Sequence, residues 1–444
     1  MKLFNKLILF IIVSIVLLCS SNIQWSKNNW KSIIGADGKG YYAYLPATFI
    51  YHDLNFSFFD SIEKKYPNPN TYYDYRINQN GKVADKYFSG TALAMMPFFF
   101  MAHSISKAFG LDADGYSKIY FIFINLSGIF YLFIGLFYLK KIFIQYKASD
   151  GLISFLLIAI TFGTNLFYYS VKEPSMSHVY SFAFITLFIY SLHNYFILPG
   201  KRTVFVLAVL LGIIVLIRPV NGIVILIAPF IAGDKNKFSV GLQFLKQQLI
   251  TTVGASFLFL AIISIQLVIY KIQTGSFWID SYGSEKFNWL DPHPIDFLIS
   301  YKKGFFLYTP LAMIALLGLV QLFKKSKFQF YSLLTFLTIL LYVLSSWWNW
   351  WYGGSFSSRV CVEYYAILGL LLYYTYDFLR AKWSKIIFSS AIILLIAVCQ
   401  IQTYQYRYYF IHWEKMDKEH YWNVFLRIDL LNKQNPNADL LNEL

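Results

Sequence analysis

The sequence reads as an all-α polytopic membrane protein, and three observations carry that reading. Of its 444 residues, 57% are hydrophobic and only 14% are charged. Mean hydropathy is +0.49, well above the range of soluble domains of this size. Uncharged runs long enough to cross a ~30 Å hydrocarbon core recur along the chain, and they end at short basic clusters. The formal net charge of +15 would point to nucleic acid in a soluble protein. Here most lysines and arginines lie in short loops between apolar runs, where they set orientation, so no nucleic-acid partner is expected. Cys19, Cys361 and Cys399 fall in or beside apolar runs without paired spacing, which gives neither a disulfide framework nor a metal site.

Residues 1–26 are expected to form a first, uncleaved transmembrane helix. The uncharged stretch Leu7–Ser26 is long enough to cross, and Leu18 before Cys19 does not make a lipid-attachment box. Residues 27–117 then form a large external loop carrying juxtamembrane helices. Within it the moderately apolar Ser89–Phe109 is placed as an amphipathic or re-entrant segment on the outer face, because a crossing there would invert every later loop. Residues 118–404 form a multi-helix transmembrane domain. Its spans are Lys118–Lys140, Asp150–Lys172, His178–Leu198, a pair around Arg218, Gln247–Tyr270, Gly304–Phe323, Phe328–Trp347, Val360–Tyr376 and Ile386–Tyr404. With about 11 transmembrane helices, the basic loops KKIFIQYK, PGKR, DKNK, KKSK and RAKWSK all share the cytoplasmic side. Residues 405–444 are left as a polar external C-terminal tail.

Arg218 is the most informative residue. It lies inside the apolar run Thr203–Gly233, and an arginine at membrane depth costs at least ~2.5–3.5 kcal/mol, which marks a functional site. A helix spanning that run would be about 46 Å long, too long for one crossing and too short for two full ones. Pro219 cannot continue the hydrogen-bond ladder, so Arg218-Pro219 marks a break between two short spans. With this threading, Asp37, Glu173, Arg218, Lys302, Lys303, Arg359 and Glu363 gather near the outer membrane surface. Orientation rules account for the inner lysines but not for Arg218, Lys303 and Arg359.

Five motifs sit on that outer side. Asp37 stands in GADGKGYYAYLPA, where glycines permit tight turns and close backbone approach, and Tyr41 and Tyr42 offer amphipathic rings. The second is KYFSGTALAMMPFFFMAH, Lys86–His103. The third is YSVKEPSMSHVYSFAF, with Glu173 and His178 at the outer ends of two spans. The fourth is SYKKGFFLYTP, with Lys303 and Tyr308. The fifth is SSWWNWWYGGSFSSRVCVEYY, a tryptophan cluster and glycine pair leading to Arg359.

The order and common sidedness of these parts resemble the GT-C superfamily of integral-membrane glycosyltransferases, which includes protein O-mannosyltransferases and lipid A aminoarabinose transferases. The resemblance rests on an acidic residue in the first external loop (Asp37), the small-residue and proline segment Lys86–Phe98, and Arg218-Pro219 between short spans. Lys303-Gly304-Phe305 to Tyr308-Thr309-Pro310, and Gly353-Gly354 followed by Arg359, complete it. The acidic residue is not doubled, and Phe88-Ser89 stands where several branches carry Pro-Pro.

The resemblance implies a polyprenyl-phosphate-linked sugar as donor and an acceptor that is a lipid, a glycan or a protein. The implied reaction is inverting transfer on the outer face of the plasma (inner) membrane, in building the cell envelope. Arg218, Lys303 and Arg359 would hold the leaving phosphate, with Asp37 as general base and Glu173 as the second candidate acid. Tyr41, Tyr42, His178 and Tyr308 would contact substrate. No cofactor is called for beyond the lipid-linked donor, which is a substrate; a divalent metal stays open. Arg218 would be balanced by the donor phosphate, needing no single carboxylate of the chain, and a cavity would separate it from Asp37. Two alternatives share the hydrophobicity. A polysaccharide polymerase or ligase should carry its largest external loop late, and a transporter should show two related halves, with no second Arg-Pro run found.

The threading is checked by cysteine accessibility. A cysteine introduced near Asn80 should label from outside and one at Gln145 should not; the opposite pattern overturns the arrangement.

Overall fold

The computed structural model describes residues 2–68, 72–79 and 81–432 of the chain, so the labelling position at Asn80 and the last residues of the 405–444 tail lie outside it. Five of its helices are long and apolar enough to cross a membrane by length and composition. They are α1 (Lys2–Gln24, apolar from Leu7), α5 (Lys118–Gln145), α12 (Leu249–Thr274), α17 (Lys327–Ser345) and α19 (Lys382–Arg407).

Between the first two of these lies a separate module with its own core. It holds α2 (Asp37–Phe49), α3 (Phe59–Lys65), strands β1 (Arg76–Gln79) and β2 (Lys82–Asp85), and α4 (Gly90–Ala108). The strands pair antiparallel with Arg76 opposite Asp85, the one departure from an all-helical chain among named elements of the described residues. Tyr42, Tyr44, Phe56, Phe59, Met95, Phe99 and Tyr120 form a buried cluster with Tyr180 and Ile217 from the bundle. Ser89–Phe109 thus forms a helix packed on α2 and α5. Gly90 shows why that segment needs a small residue: a Cβ there would lie 2.3 Å from the backbone of Leu216 and Ile217, directly ahead of Arg218.

The bundle continues through α6 (Asp150–Phe162), α7 (Leu166–Val171), α8 (Ser177–Ile197), α9 (Lys201–Ile217), α10 (Ala228–Ala232) and α11 (Lys235–Gln247). The break at Arg218-Pro219 is present. Arg218 adopts extended backbone (φ −149°, ψ 113°), and Pro219 opens a 3-10 segment to Ile227. A residue before proline is pushed out of the helical region, and the proline ring suits a first helical position.

After α12 come α13 (Pro294–Ile299), α14 (Phe305–Tyr308), α15 (Leu311–Ala315) and α16 (Gly318–Lys325). Gly304–Phe323 is therefore not one continuous span. Its helix stops at Thr309, which precedes Pro310, and again at Leu316-Leu317. Asp150–Lys172 is likewise divided at Gly163–Asn165. Val360–Tyr376 is a 3-10 segment, Arg359–Tyr364, running into α18 (Tyr365–Phe378). The tail folds back as α20 (Lys418–Val424), tied to α19 by hydrogen bonds from Gln402 to Tyr421 and from Gln405 to the Val424 carbonyl.

Gly90→Ala should lower the thermal unfolding temperature by an amount corresponding to about 1–3 kcal/mol, since added volume meets backbone rather than a side chain that can swing away. A melting curve in detergent superimposable on wild type would mean that α4 has room to move.

Candidate functional site

The site lies where the module between α1 and α5 meets the bundle. Ala36 has a positive φ of 46°, an uncommon conformation for a residue with a Cβ, and it starts α2 at Asp37. Gly38 and Gly40 let α2 approach its neighbours: a Cβ at Gly38 would lie 2.1 Å from the Ser175 hydroxyl, and at Gly40 2.4 Å from the Tyr87 ring. Larger residues would push Asp37 away from the loop between α7 and α8.

Asp37 is already partnered. Its Oδ2 lies 3.0 Å from Arg359 Nη2, and its Oδ1 accepts a hydrogen bond from the Tyr87 hydroxyl at 2.8 Å. Burial pulls this carboxyl upward, but Arg359, Tyr87 and the neighbouring positive groups outweigh it, and the net direction is downward. Asp37 is thus held as a carboxylate. One turn on, Tyr41 accepts from the Ser177 hydroxyl at 3.5 Å. Burial first, then Asp37, push its phenol up to about 12, which keeps it a neutral hydroxyl. Tyr41 and Tyr282 both lie close enough to Asp37 and Arg218 to feel their charges.

Arg218 does have a carboxylate partner, contrary to the expectation that the chain need not supply one. Glu363 Oε1 lies 2.8 Å from Arg218 Nη1 and 2.9 Å from His178 Nδ1. Glu363 and His178 are each 1% exposed, while the Arg218 side chain is 19% exposed. A charge at this depth without a counter-charge would be far more costly than the pair. His178 Nδ1 faces the Glu363 oxygen at 2.9 Å and Arg218 Nη1 at 3.3 Å; the closer contact, to an acceptor, assigns the proton to Nδ1 and leaves Nε2 as the acceptor of a neutral ring. Nε2 is buried without a partner among the described residues. His178 is therefore part of the arginine's support rather than an open substrate contact. Asn221, in the segment after Pro219, accepts from the Tyr364 hydroxyl at 3.0 Å and donates to Ser181 at 3.2 Å, locking the break onto α8 and the start of α18.

The other expected site residues divide. Arg359 belongs to the site, but as the partner of Asp37 instead of a free phosphate ligand; its Nε is buried without a partner among the described residues. Glu173 accepts from the Tyr168 hydroxyl at 2.9 Å, and burial raises its carboxyl despite Tyr168 and Arg359. Lys303 is buried, donates to the Ser355 carbonyl and lies over the Tyr406 ring at 5.0 Å. Burial above all pushes its ammonium down to about 7. It braces the loop before Arg359 and does not serve as an open cation. Tyr42 donates to the Gly115 carbonyl and Tyr308 to the Tyr301 carbonyl, and both are fully enclosed, so they are core residues rather than substrate contacts.

Sequence reading missed the roles of Glu363 and Tyr87. Glu363 carried a usable signal, being a carboxylate four residues after Arg359 at the entrance of an apolar run. Tyr87 carried none, as one of 36 tyrosines. Neither Asp37 nor Arg218 lines the open groove of about 390 Å³ that runs between α13–α16, α17 and α18. Its walls are almost wholly apolar, including Phe306, Leu316, Leu337, Leu341, Tyr364 and Leu368. Among the described residues no group of three or more His, Cys, Asp or Glu side chains is placed to hold a metal ion. No protein-family model matches the chain, and no curated protein matches its sequence.

The Asp37–Arg359 pair has a pH signature with a definite sign. A carboxyl whose folded pKa is lowered stabilises the fold above its unfolded value of about 3.9, and that contribution disappears as pH falls through the folded value. Asp37→Asn should therefore lower the melting temperature at neutral pH and cost progressively less below pH 4. In an Arg359→Gln background burial has lost its main opponent, so the folded pKa rises and Asp37→Asn should now stabilise at neutral pH. The same sign in both backgrounds would refute the assignment.

Proposed function

We propose that this protein is a membrane glycosyltransferase, moving a sugar from a polyprenyl-phosphate carrier to an acceptor on the extracytoplasmic face of the plasma membrane. The observation that carries the reading is the paired arrangement at the outer seam. A carboxylate (Asp37) and a partly exposed guanidinium (Arg218) keep separate counter-ions and share Tyr41 and Tyr282 as neighbours. The eleven-span threading, with the module between α1 and α5 outside, belongs to the same proposal.

On this reading the acceptor hydroxyl attacks the anomeric carbon from the Asp37 side. The bond from that carbon to the phosphate oxygen breaks on the opposite side, giving inversion. The hydroxyl proton passes to Asp37, and the electron pair leaves with the polyprenyl phosphate. Phosphate needs its charge held more than it needs protonation. Arg218 engages Glu363 through Nη1, which also lies 3.3 Å from His178 Nδ1; Nη2 and Nε make no hydrogen bond among the described residues, so that edge is free for two phosphate oxygens. Arg359 keeps Asp37 ionised at the expense of basicity, so Asp37 acts by orienting the hydroxyl and taking the proton late. The apolar groove supports a lipid-linked donor. Tyr364 lines it and bonds Asn221, whose N–H donates to the Arg218 carbonyl, so two hydrogen bonds link the groove wall to the backbone of Arg218.

Lipid extracted from the purified protein should contain a polyprenyl phosphate by mass spectrometry; only bulk phospholipid would remove the main support for this donor. Asp37→Asn should reduce transfer by ~10²–10⁴-fold while donor binding persists. Arg218→Lys should retain part of the activity and Arg218→Ala should lose far more, by the ~2–5 kcal/mol that follows loss of a buried charge partner. Transfer rates of the two Arg218 variants that coincide would rule out a phosphate role for the charge.

A further inference from the structure

We propose that Glu363 is the positioning residue of the donor site: it fixes the Arg218 guanidinium by one nitrogen so that the opposite edge meets an isoprenyl phosphate. This rests on the proposed donor class and adds a residue to it.

Glu363 is enclosed, with one oxygen shared between Arg218 Nη1 at 2.8 Å and His178 Nδ1 at 2.9 Å. Two donors on a single oxygen fix it from two sides, and His178 comes from α8 while Arg218 comes from the chain break after α9. The break itself cannot orient the arginine, since Arg218 sits on extended backbone between a helix and a 3-10 segment. An arginine side chain has four rotatable bonds, and a free one at this position would sample many rotamers. Held at Nη1, it keeps Nη2 and Nε, the pair of donors that matches two phosphate oxygens side by side. Glu363 in turn begins the turn into α18, in the segment headed by Arg359, the partner of Asp37. Glu363 and Arg359 thus set the two reacting sides of the site from one short piece of chain.

Position and charge make opposite predictions for Glu363→Gln. Removing a negative charge beside Arg218 leaves the site more positive, so charge alone predicts tighter binding of an anion. Loss of positioning predicts weaker binding, by ~10–100-fold if the scale seen for groups that orient metal-ligating side chains applies to an oriented guanidinium.

The test measures the affinity of the full chain in nanodiscs for farnesyl phosphate, a soluble isoprenyl monophosphate, alongside thermal unfolding. The expected result is about tenfold or greater weakening in Glu363→Gln, with partial recovery in Glu363→Asp, which keeps the charge on a shorter arm. Arg218→Lys should weaken binding in the wild-type background and add little in Glu363→Gln, because an unpositioned fork is no better than a point charge. Should Glu363→Gln fail to fold, Glu363→Asp carries the same comparison with Arg218→Lys. Unchanged or tighter binding in folded Glu363→Gln, or a lowered melting temperature with unaltered affinity, overturns the positioning role alone. Absence of farnesyl phosphate binding to the wild-type protein overturns the donor reading and this role together.

Discussion

The ion pair between Arg218 and Glu363 is the constraint on which the rest of the site depends. Neither residue could be placed at this depth alone. Desolvating a lone guanidinium or carboxylate is far more costly than burying the pair, and His178 completes the coordination of the shared oxygen. The pair spans 145 residues of sequence. It therefore also fixes geometry, joining the break after α9 to the segment that leads into α18, with α8 between them. Asn221, Ser181 and Tyr364 repeat the same connection with neutral hydrogen bonds.

A second pair, Asp37 with Arg359, ties the module between α1 and α5 to that same segment. That module has an aromatic core of its own, yet the core takes in Ile217 and Tyr180 from the bundle. Close packing at Gly38, Gly40 and Gly90 brings its backbone against the Ser175 loop, Tyr87 and the end of α9. Asp37 and Arg218 are consequently held by two contacts that converge on residues 359–363. Their relative position is a property of packing rather than of either flexible side chain.

The two pairs leave the seam nearly balanced in charge. On the proposed reading, a site that binds a phosphate without a surplus of positive charge would do so through direction. One guanidinium edge is used to hold the arginine and the other is left available. The groove lined by Tyr364 is apolar, which on the proposed reading would suit the chain of a lipid-borne ligand.

The sequence by itself determined the apolar, helical, membrane-type character, the break at Arg218-Pro219 and the separate segment between the first two long apolar helices, and it singled out Asp37, Arg218 and Arg359 as charges in need of partners. These are local properties: apolar run length, a proline that ends a ladder, and charges where the membrane makes charge costly. The tertiary structure decided who pairs with whom. It gave Arg218 to Glu363 and Arg359 to Asp37, retired Lys303, Tyr42 and Tyr308 into the packing, and divided Gly304–Phe323 into short helices. Pairing between residues more than a hundred positions apart follows from how helices pack. In a chain this rich in tyrosine and leucine, many faces look alike until they are in contact.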